Sequence, residues 1–139
     1  MQKLIILLIF ICSSNIYAKT KYKSHAMIGI ASYYGDPQKD DYDLMANGKE
    51  FDPNNPTIAA HHILPLGTKL KVLNLRNKKS ICVIVTDRMP KNNRIIDLSY
   101  AGAKKLHILT IGVTKVKLTI LSNKEFYSKS CNSNKSIIS

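Results

Sequence analysis

The acidic residue best placed to do chemistry, Asp87, comes directly after the most apolar predicted strand of the chain, residues 80–86. A carboxylate at the edge of an apolar core is poorly solvated and can therefore hold a proton for donation to a leaving group. The competing interpretation is that Asp87 pairs with Arg88 or Arg94, or caps a turn, and does no chemistry. Residue chemistry alone leaves both interpretations open.

A second group of polar candidates lies upstream of Asp87. Glu50 follows Asn47 and Gly48 in a long loop, where a carboxylate is usually a solvated charge. His61 and His62 follow two alanines. Because neighbouring side chains of a strand point to opposite faces, we expect only one histidine to face a cleft. The sequence has no CxxC or HExxH pattern, no Gly-rich phosphate loop and no nucleophile elbow, so it predicts neither a metal nor a cofactor.

The elements that would hold these residues are short strands. Apolar patterns predict strands at 27–34, 69–75, 80–86, 95–98 and 113–121. Ser99 can cap a helix over 100–106, and the polar segment 38–56 is expected to be a functional loop. In the last strand Val116, Leu118 and Ile120 should face the core. Five or six strands with one or two short helices predict a mainly β fold, a small closed barrel.

The length and charge of the chain narrow the function classes. The 139 residues allow one domain of ordinary size and exclude large barrels and multi-span channels. Lys and Arg total 21 against 9 acids, a formal net charge of +12, which points to anionic partners. We expect the folded domain to cover 27–121, after a basic lead-in at 19–26 and before a polar tail at 122–139.

The N-terminus has the pattern of a signal peptide. Lys3 precedes an apolar run at 4–11, and Ala18 is a small residue before the expected cleavage site, so 1–18 is predicted to direct export. The run is too short to span a bilayer. The alternatives that would attach the protein to a membrane are an uncleaved anchor and a lipoprotein that begins at Cys12. Export argues against a nucleic-acid partner in spite of the charge.

Two cysteines follow the predicted cleavage site. Cys82 lies in the apolar run and is expected to be a buried thiol, whereas Cys131 lies in the polar tail. A bridge between them is the open alternative. In either case the chain is not a disulfide-rich scaffold, and burial of a core must stabilise it.

Four segments carry a family resemblance through their order and spacing. They are GIASYYG at 29–35, MANGKEFD at 45–52, AAHHILPLGT at 59–68, and VTDRMP at 85–90 followed by RIIDLS at 94–99. Together they resemble the rare lipoprotein A family, septal-ring lytic transglycosylases with a double-psi β-barrel domain. The resemblance implies a six-stranded double-psi barrel in the periplasm or cell envelope, with peptidoglycan glycan strands as substrate and cell-division proteins as partners. The implied reaction cleaves the MurNAc–GlcNAc bond and forms a 1,6-anhydro ring.

The resemblance also implies roles for single residues. Asp87 matches the family's essential Asp and is expected to act as acid and base. His61 matches a His that lines the same groove. Substrate-binding roles are expected for Tyr33, Tyr34, Arg88 and Asn47, although strand alternation allows only one of the two tyrosines into the groove.

The position of the second acid is ambiguous. Counting from Asn47 and Gly48 places the family's Glu on Lys49, whereas counting back from His61 places it on Glu50. Either Glu50 is a catalytic helper or the second acid is missing. Two alternatives to the enzyme therefore stay open: a non-catalytic, expansin-like module that binds peptidoglycan, and a secreted basic interaction protein with no glycan role.

Overall fold

The computed structural model describes residues 26–38, 43–128 and 131. The predicted signal peptide, with Cys12, and residues 19–25 of the predicted lead-in lie outside the described residues. Within the described part, no helix has the length and apolar character needed to cross a membrane.

Six strands close into one barrel. They are β1 (Ala26–Tyr34), β2 (Ile58–Ala60), β3 (Lys69–Asn74), β4 (Ser80–Asp87), β5 (Arg94–Ser99) and β6 (Thr114–Ile120), joined in the order β1-β5-β2-β4-β3-β6. The pairs β1–β5 and β2–β4 are parallel, and the other four are antiparallel. The closed β-barrel predicted from the pattern is confirmed, and closure leaves no free sheet edge among these strands.

Strand alternation fills the interior of the barrel. Leu70 and Val72 of β3, and Val116 and Leu118 of β6, are fully buried while their neighbours face outward. Ile120 was expected to face the core, but it is 40% exposed because it is the last residue of β6 and the pairing with β1 ends one residue earlier, at Thr119.

The helix α1 (Tyr100–Lys105) begins as predicted. The Ser99 hydroxyl accepts a hydrogen bond from the Gly102 N–H and donates one to the Asn55 carbonyl oxygen, so the cap also fastens the long loop. In the hairpin between β3 and β4, Lys78 adopts a positive φ of 63° in the turn. Strand β2 was not predicted, since three residues are too short for a periodic pattern.

The C-terminal segment is attached to the barrel. A second short helix, α2 (Asn123–Phe126), carries a capping box in which Ser122 and Glu125 bond each other's backbone N–H groups. Lys69 of β3 lies 5.8 Å from the centre of the Phe126 ring. The expected free thiol of Cys82 is wrong: Cys82 and Cys131, 49 positions apart, form a disulfide with their Cα atoms 5.5 Å apart. Sequence pattern missed the bridge because pairing at this separation depends on the folded path of the chain.

Candidate active site

A row of paired residues crosses four strands of the barrel. Ala60, at the end of β2, is the partner of Asp87 on β4 and of Asp97 on β5. Asp97 is in turn the partner of Ser32 on β1. Two carboxylates therefore lie on either side of Ala60, and Tyr34 follows Ser32 by two residues, on the same face of β1.

Asp87 is held by three hydrogen-bond donors, none of which is a charged side chain. Its Oδ1 accepts bonds from the backbone N–H groups of Ala46 (2.9 Å) and Arg88 (2.8 Å), and its Oδ2 accepts one from the Tyr34 hydroxyl (3.1 Å). The interpretation that Asp87 is neutralised by Arg88 or Arg94 is therefore wrong. The carboxylate is half-buried and held in one orientation. Because Oδ1 accepts two of these hydrogen bonds and Oδ2 accepts one, Oδ2 is the oxygen with more capacity left to accept another.

Tyr34 is fixed by an aromatic neighbour. Its ring centre lies 4.6 Å from that of Phe51, in a small apolar cluster that also contains Met45 and Ile58. Gly35, with a positive φ of 77°, lets the chain pass closely over the Phe51 ring. Burial, and then the negative charge of Asp87, raise the pKa of Tyr34 far above its ordinary value, so Tyr34 remains a hydrogen-bond donor.

The loop that supplies Ala46 is a tight turn docked on β4. The Asn47 N–H donates to the Thr86 carbonyl oxygen (3.1 Å), and the Met45 N–H donates to that of Lys49 (2.8 Å). Glu50 forms an isolated backbone bridge with Leu44 and is exposed. Within the described residues no hydrogen bond joins the Glu50 carboxylate to Asp87.

His61 directly follows the row and is almost completely buried. Its Nδ1 accepts bonds from the N–H groups of Ile63 and Leu64, both at 3.1 Å, so the proton of the neutral ring is on Nε2. Burial, with His62 and Arg88 nearby, lowers the pKa of His61 from 6.5 to about 4. Of the buried side-chain atoms described, Nε2 is one of three without a hydrogen-bond partner, so it is a donor whose bond is not made within the described residues.

The two histidines do not point to opposite faces. Their rings are stacked, with centres 4.7 Å apart and planes at 19°. The expectation was wrong because β2 ends at Ala60, so strand alternation no longer applies at His61 and His62.

Arg88 is bonded to backbone. Its Nη1 donates to the carbonyl oxygens of His61 (3.1 Å) and Leu64 (2.8 Å), so the guanidinium holds the loop that shapes the His61 side of the site. The side-chain amide oxygen of Asn47 accepts from the Lys49 N–H (3.0 Å), which leaves the exposed Asn47 amide nitrogen at the rim.

The structure thus brings Asp87, Tyr34, His61 and Arg88 together, with Asn47 and Glu50 on the adjoining loop. Tyr33 lies on the other face of β1, where its ring meets Tyr100 edge-on, 6.2 Å between centres, and its hydroxyl donates to the Leu109 carbonyl oxygen.

Sequence reasoning missed a second polar group at the site. Asp97 is nearly buried, accepts a bond from the Ser32 hydroxyl at 2.5 Å and pairs with Arg94 at 3.3 Å. Arg94 also donates to the Ser32 hydroxyl (2.9 Å). The i,i+3 spacing of Arg94 and Asp97 was a readable signal. Among the described residues, no three His, Cys, Asp or Glu side chains are grouped to hold a metal ion.

Comparison with known sequences decides the family. The sequence model of a family described as lytic transglycolase matches residues 26–118, which contain the whole row and all the predicted site residues. The chain belongs to the lytic transglycolase family. The matched residues contain the four segments that carry the family resemblance, so the predicted family is confirmed.

Curated relatives of this lytic transglycolase carry a more specific name. A protein of Rickettsia felis named endolytic peptidoglycan transglycosylase RlpA is 44% identical over 110 residues, which are 77% of this chain and 47% of the relative. The Pseudomonas aeruginosa protein of the same name is 42% identical over 103 residues, 73% of this chain and 29% of the relative. The chain therefore spans less than half the length of these relatives.

A solved structure supports the barrel. Streptomyces papain inhibitor superposes with a TM-score of 0.55 at 26% identity, over 70% of this chain and 96% of that one. Together with the family match, this confirms the six-stranded double-psi β-barrel with two short helices.

Proposed function

We propose that this protein is an exported lytic transglycosylase that cleaves the MurNAc–GlcNAc bond of peptidoglycan. Family membership and the names of the relatives support the substrate class and the reaction. The observation that carries the proposal is the setting of Asp87, a half-buried carboxylate that, among the described residues, is oriented by three neutral donors and bonded to no cationic side chain. Acid and base catalysis by one residue requires a carboxyl group held in a fixed direction, which these donors provide.

The reaction needs two proton transfers, both of them at Asp87. Protonated Asp87 donates its proton to the glycosidic oxygen as the bond from that oxygen to C1 of MurNAc breaks. The C6 hydroxyl of the same sugar then bonds to C1, and its proton passes to the Asp87 carboxylate. The ring closes without water, and Asp87 ends protonated as it began, in contrast to glycosidases with two carboxylates.

Oδ2 is the oxygen proposed to transfer the proton. Oδ1 accepts from two backbone N–H groups, whereas Tyr34 is the one donor to Oδ2 among the residues that the structure describes. The hydroxyl of Tyr34 fixes the direction of the remaining lone pair on Oδ2. We therefore assign Tyr34 a positioning role in place of the expected substrate-binding role, and we assign Tyr33 to packing.

The other predicted residues receive supporting roles. His61 offers its Nε2–H to a sugar oxygen or to the acetamido carbonyl, and its low pKa keeps this donor neutral. Arg88 holds the loop behind His61. Glu50 and the Asn47 amide would reach the substrate from the rim of the site, with Glu50 as a helper whose charge stabilises the positive charge developing at C1.

The proposed compartment is the periplasm or cell envelope. The Cys82–Cys131 disulfide supports it, because disulfides persist in oxidising compartments and are rare in the cytosol. Association with cell-division proteins stays a prediction from the resemblance, as do both forms of membrane attachment, the uncleaved signal and lipidation at Cys12.

The test is to digest purified sacculi with the exported protein in heavy-oxygen water and identify the soluble products by mass spectrometry. We expect anhydro-muropeptides without heavy oxygen from the wild type and none from Asp87→Asn. Heavy oxygen at the new ends would show a hydrolase. The absence of any soluble product, with protein retained on the sacculi, would leave the expansin-like binding module.

A further inference from the structure

The outer side of the barrel around β6 exposes apolar side chains and cations together. Ile28 of β1 is 58% exposed, and Val113, one residue before β6, is 50% exposed. On β6 itself the side chains of Lys115 and Lys117 point outward while those between them point into the core. Single exposed apolar residues are common on proteins, so what matters is whether these four form one patch.

Strand register makes the patch continuous. Ile28 is the partner of Lys117, and Lys117 is in turn the partner of the half-buried Leu73 on β3. Because directly paired residues have side chains on the same face of a sheet, a row of apolar, cationic and apolar side chains crosses β1, β6 and β3. Ile30, the partner of Lys115, extends the patch by two residues along β1. The patch, here called the outer β6 face, consists of Ile28, Ile30, Leu73, Val113, Lys115 and Lys117.

Further cations border the outer β6 face. The buried Asn74 side chain donates to the Leu106 carbonyl oxygen after α1 (3.2 Å) and accepts from the Thr114 hydroxyl at the start of β6 (3.2 Å), so the β3–β4 turn and the end of α1 adjoin the start of β6. Strands β1, β3 and β6 contain no acidic residue, so their charge is entirely positive and favours an anionic partner. The exposed cations of the turn and of α1 are Arg76, Lys78, Lys79, Lys104 and Lys105.

From this pairing of chemistries we propose that the outer β6 face binds the surface of an anionic phospholipid bilayer. The lysines pair with headgroup phosphates, while Ile28 and Val113 enter the boundary between headgroups and acyl chains. A dissolved polyanion would satisfy the lysines but would leave the exposed apolar side chains in water. The inference does not depend on the proposed reaction, and it differs from both predicted forms of N-terminal membrane attachment, since the contact is made by the folded barrel.

Binding through the outer β6 face leaves the candidate active site open. In the closed order of strands β6 is three places from β2, so the two strands lie on opposite sides of the barrel. Ala60 of β2 is the centre of the row that carries Asp87. On β1, Ile28 and Tyr34 are six residues apart, roughly 20 Å along an extended strand. A barrel held on a bilayer in this way presents its candidate active site away from the lipid.

The charge of the outer β6 face is tested by co-sedimentation with vesicles of phosphatidylglycerol and phosphatidylcholine at low salt. We expect Lys115→Gln/Lys117→Gln to lose at least about tenfold in affinity, because each lysine near an anionic surface contributes to binding. The matched control is Lys49→Gln/Lys91→Gln, which changes the net charge equally at exposed positions on the loops beside Asp87 and should lose less than about twofold. The wild type should bind vesicles of phosphatidylcholine alone at least about tenfold more weakly.

The apolar part of the face is tested with a pair of isoleucines. Ile28→Thr keeps a β-branched side chain on the strand and should lower affinity for the phosphatidylglycerol vesicles about threefold to fivefold. Its matched control is Ile63→Thr, since Ile63 is 70% exposed on the loop that Arg88 holds, and this variant should lose less than about twofold. All the altered side chains are exposed, and circular dichroism verifies that each variant is folded.

A fluorescent reporter locates the contact directly. The chain contains no Trp, so the substitution Val113→Trp or Ile63→Trp introduces a single fluorophore of this kind. Phosphatidylglycerol vesicles with brominated acyl chains should quench the fluorescence of Val113→Trp, because that position enters the lipid boundary. They should leave the fluorescence of Ile63→Trp close to its value without vesicles.

Three results would overturn the inference. Equal losses of affinity in the lysine variant and its control would show that net charge alone determines binding. Stronger quenching in Ile63→Trp than in Val113→Trp would place the lipid contact on the side of the candidate active site. Binding of soluble polyglutamate that is lost in Lys115→Gln/Lys117→Gln, with no effect of Ile28→Thr on vesicle binding, would assign the face to a dissolved anionic polymer.

Discussion

Asp87 and Asp97 flank the same residue, Ala60, and yet their surroundings differ in kind. Asp97 is nearly buried and is paired with the guanidinium of Arg94 and the hydroxyl of Ser32. Asp87 is half-buried and, among the described residues, accepts from two backbone N–H groups and a tyrosine hydroxyl. The Asp97 carboxylate therefore faces a cation, whereas neutral donors orient the Asp87 carboxylate. The barrel thus contains one carboxylate suited to structure and another suited to proton transfer.

The same contrast extends to the neighbours of each carboxylate. Near Asp87 the His61 ring is kept neutral, while Arg88 directs its side chain to backbone carbonyl oxygens. Beside Asp97 the charge of Arg94 is directed at the carboxylate itself. What distinguishes the two acids is therefore where each arginine points, a property that residue type alone does not reveal.

The largest effect on stability is expected at Asp97. Asp97→Asn leaves the Arg94 charge without its carboxylate, and we expect it to cost about 2–3 kcal/mol of unfolding free energy. Urea denaturation measures this, and the double variant Arg94→Gln/Asp97→Asn should cost less than the sum of the two single changes because the unpaired charge is gone. A stable Asp97→Asn variant without activity would reverse the roles of the two carboxylates.

The second effect concerns pH and His61. The pKa of His61 is lowered from 6.5 to about 4, so the folded state favours the neutral ring and this contribution to stability is complete above pH 6.5 and falls as pH decreases toward 4. Between pH 7 and 4.5 the wild type should lose roughly 2 kcal/mol more than His61→Asn, whose amide oxygen can replace Nδ1 as an acceptor. The measurement is the free energy of unfolding from denaturation at each pH. Equal losses in the two proteins would contradict a neutral His61 ring in the folded state.

A smaller effect is expected from the hydroxyl that orients Asp87. Tyr34→Phe keeps the ring on Phe51 and removes one donor from Oδ2. We expect about a tenfold loss in the rate of product release with KM little changed, and a shift of the alkaline limb of the pH–rate profile to higher pH, because the carboxylate form loses a hydrogen bond. A Tyr33→Phe control, which removes a hydroxyl on the other face of β1, should leave the pH profile in place. An unchanged pH–rate profile in Tyr34→Phe would contradict the positioning role of Tyr34.

The smallest effect should be at the exposed rim. Glu50→Gln is expected to lower the rate about threefold to fivefold, since a solvated carboxylate stabilises the developing charge only weakly. Lys49→Gln, the other position that the family's Glu could occupy, serves as the matched control and should change the rate by less than about twofold. A loss of a hundredfold or more in the rate of Glu50→Gln would make Glu50 a second catalytic acid. It would contradict the assignment of both proton transfers to Asp87 alone.

Local signals made part of this arrangement predictable. These signals act within a few residues: the alternation in β3 and β6, the Ser99 cap of α1 and the polar residue that ends β4. Each of them placed the strand or helix where the structure has it. Closure of the barrel and the partnership of Ala60 with both carboxylates depend on strand pairing over long separations. Three further features depend on the exact path of loops, which periodicity does not describe. They are the disulfide, the stacking of the two histidines and the ion pair of Arg94 with Asp97.

The decisive measurement is the rate of anhydro-muropeptide release from the same sacculi by Asp87→Asn and Asp97→Asn, each expressed per folded protein. The account predicts at least about a hundredfold lower rate for Asp87→Asn than for the wild type, the size expected for loss of a general acid. It predicts a rate within about threefold of wild type for Asp97→Asn. An active Asp87→Asn beside an inactive but folded Asp97→Asn would contradict it.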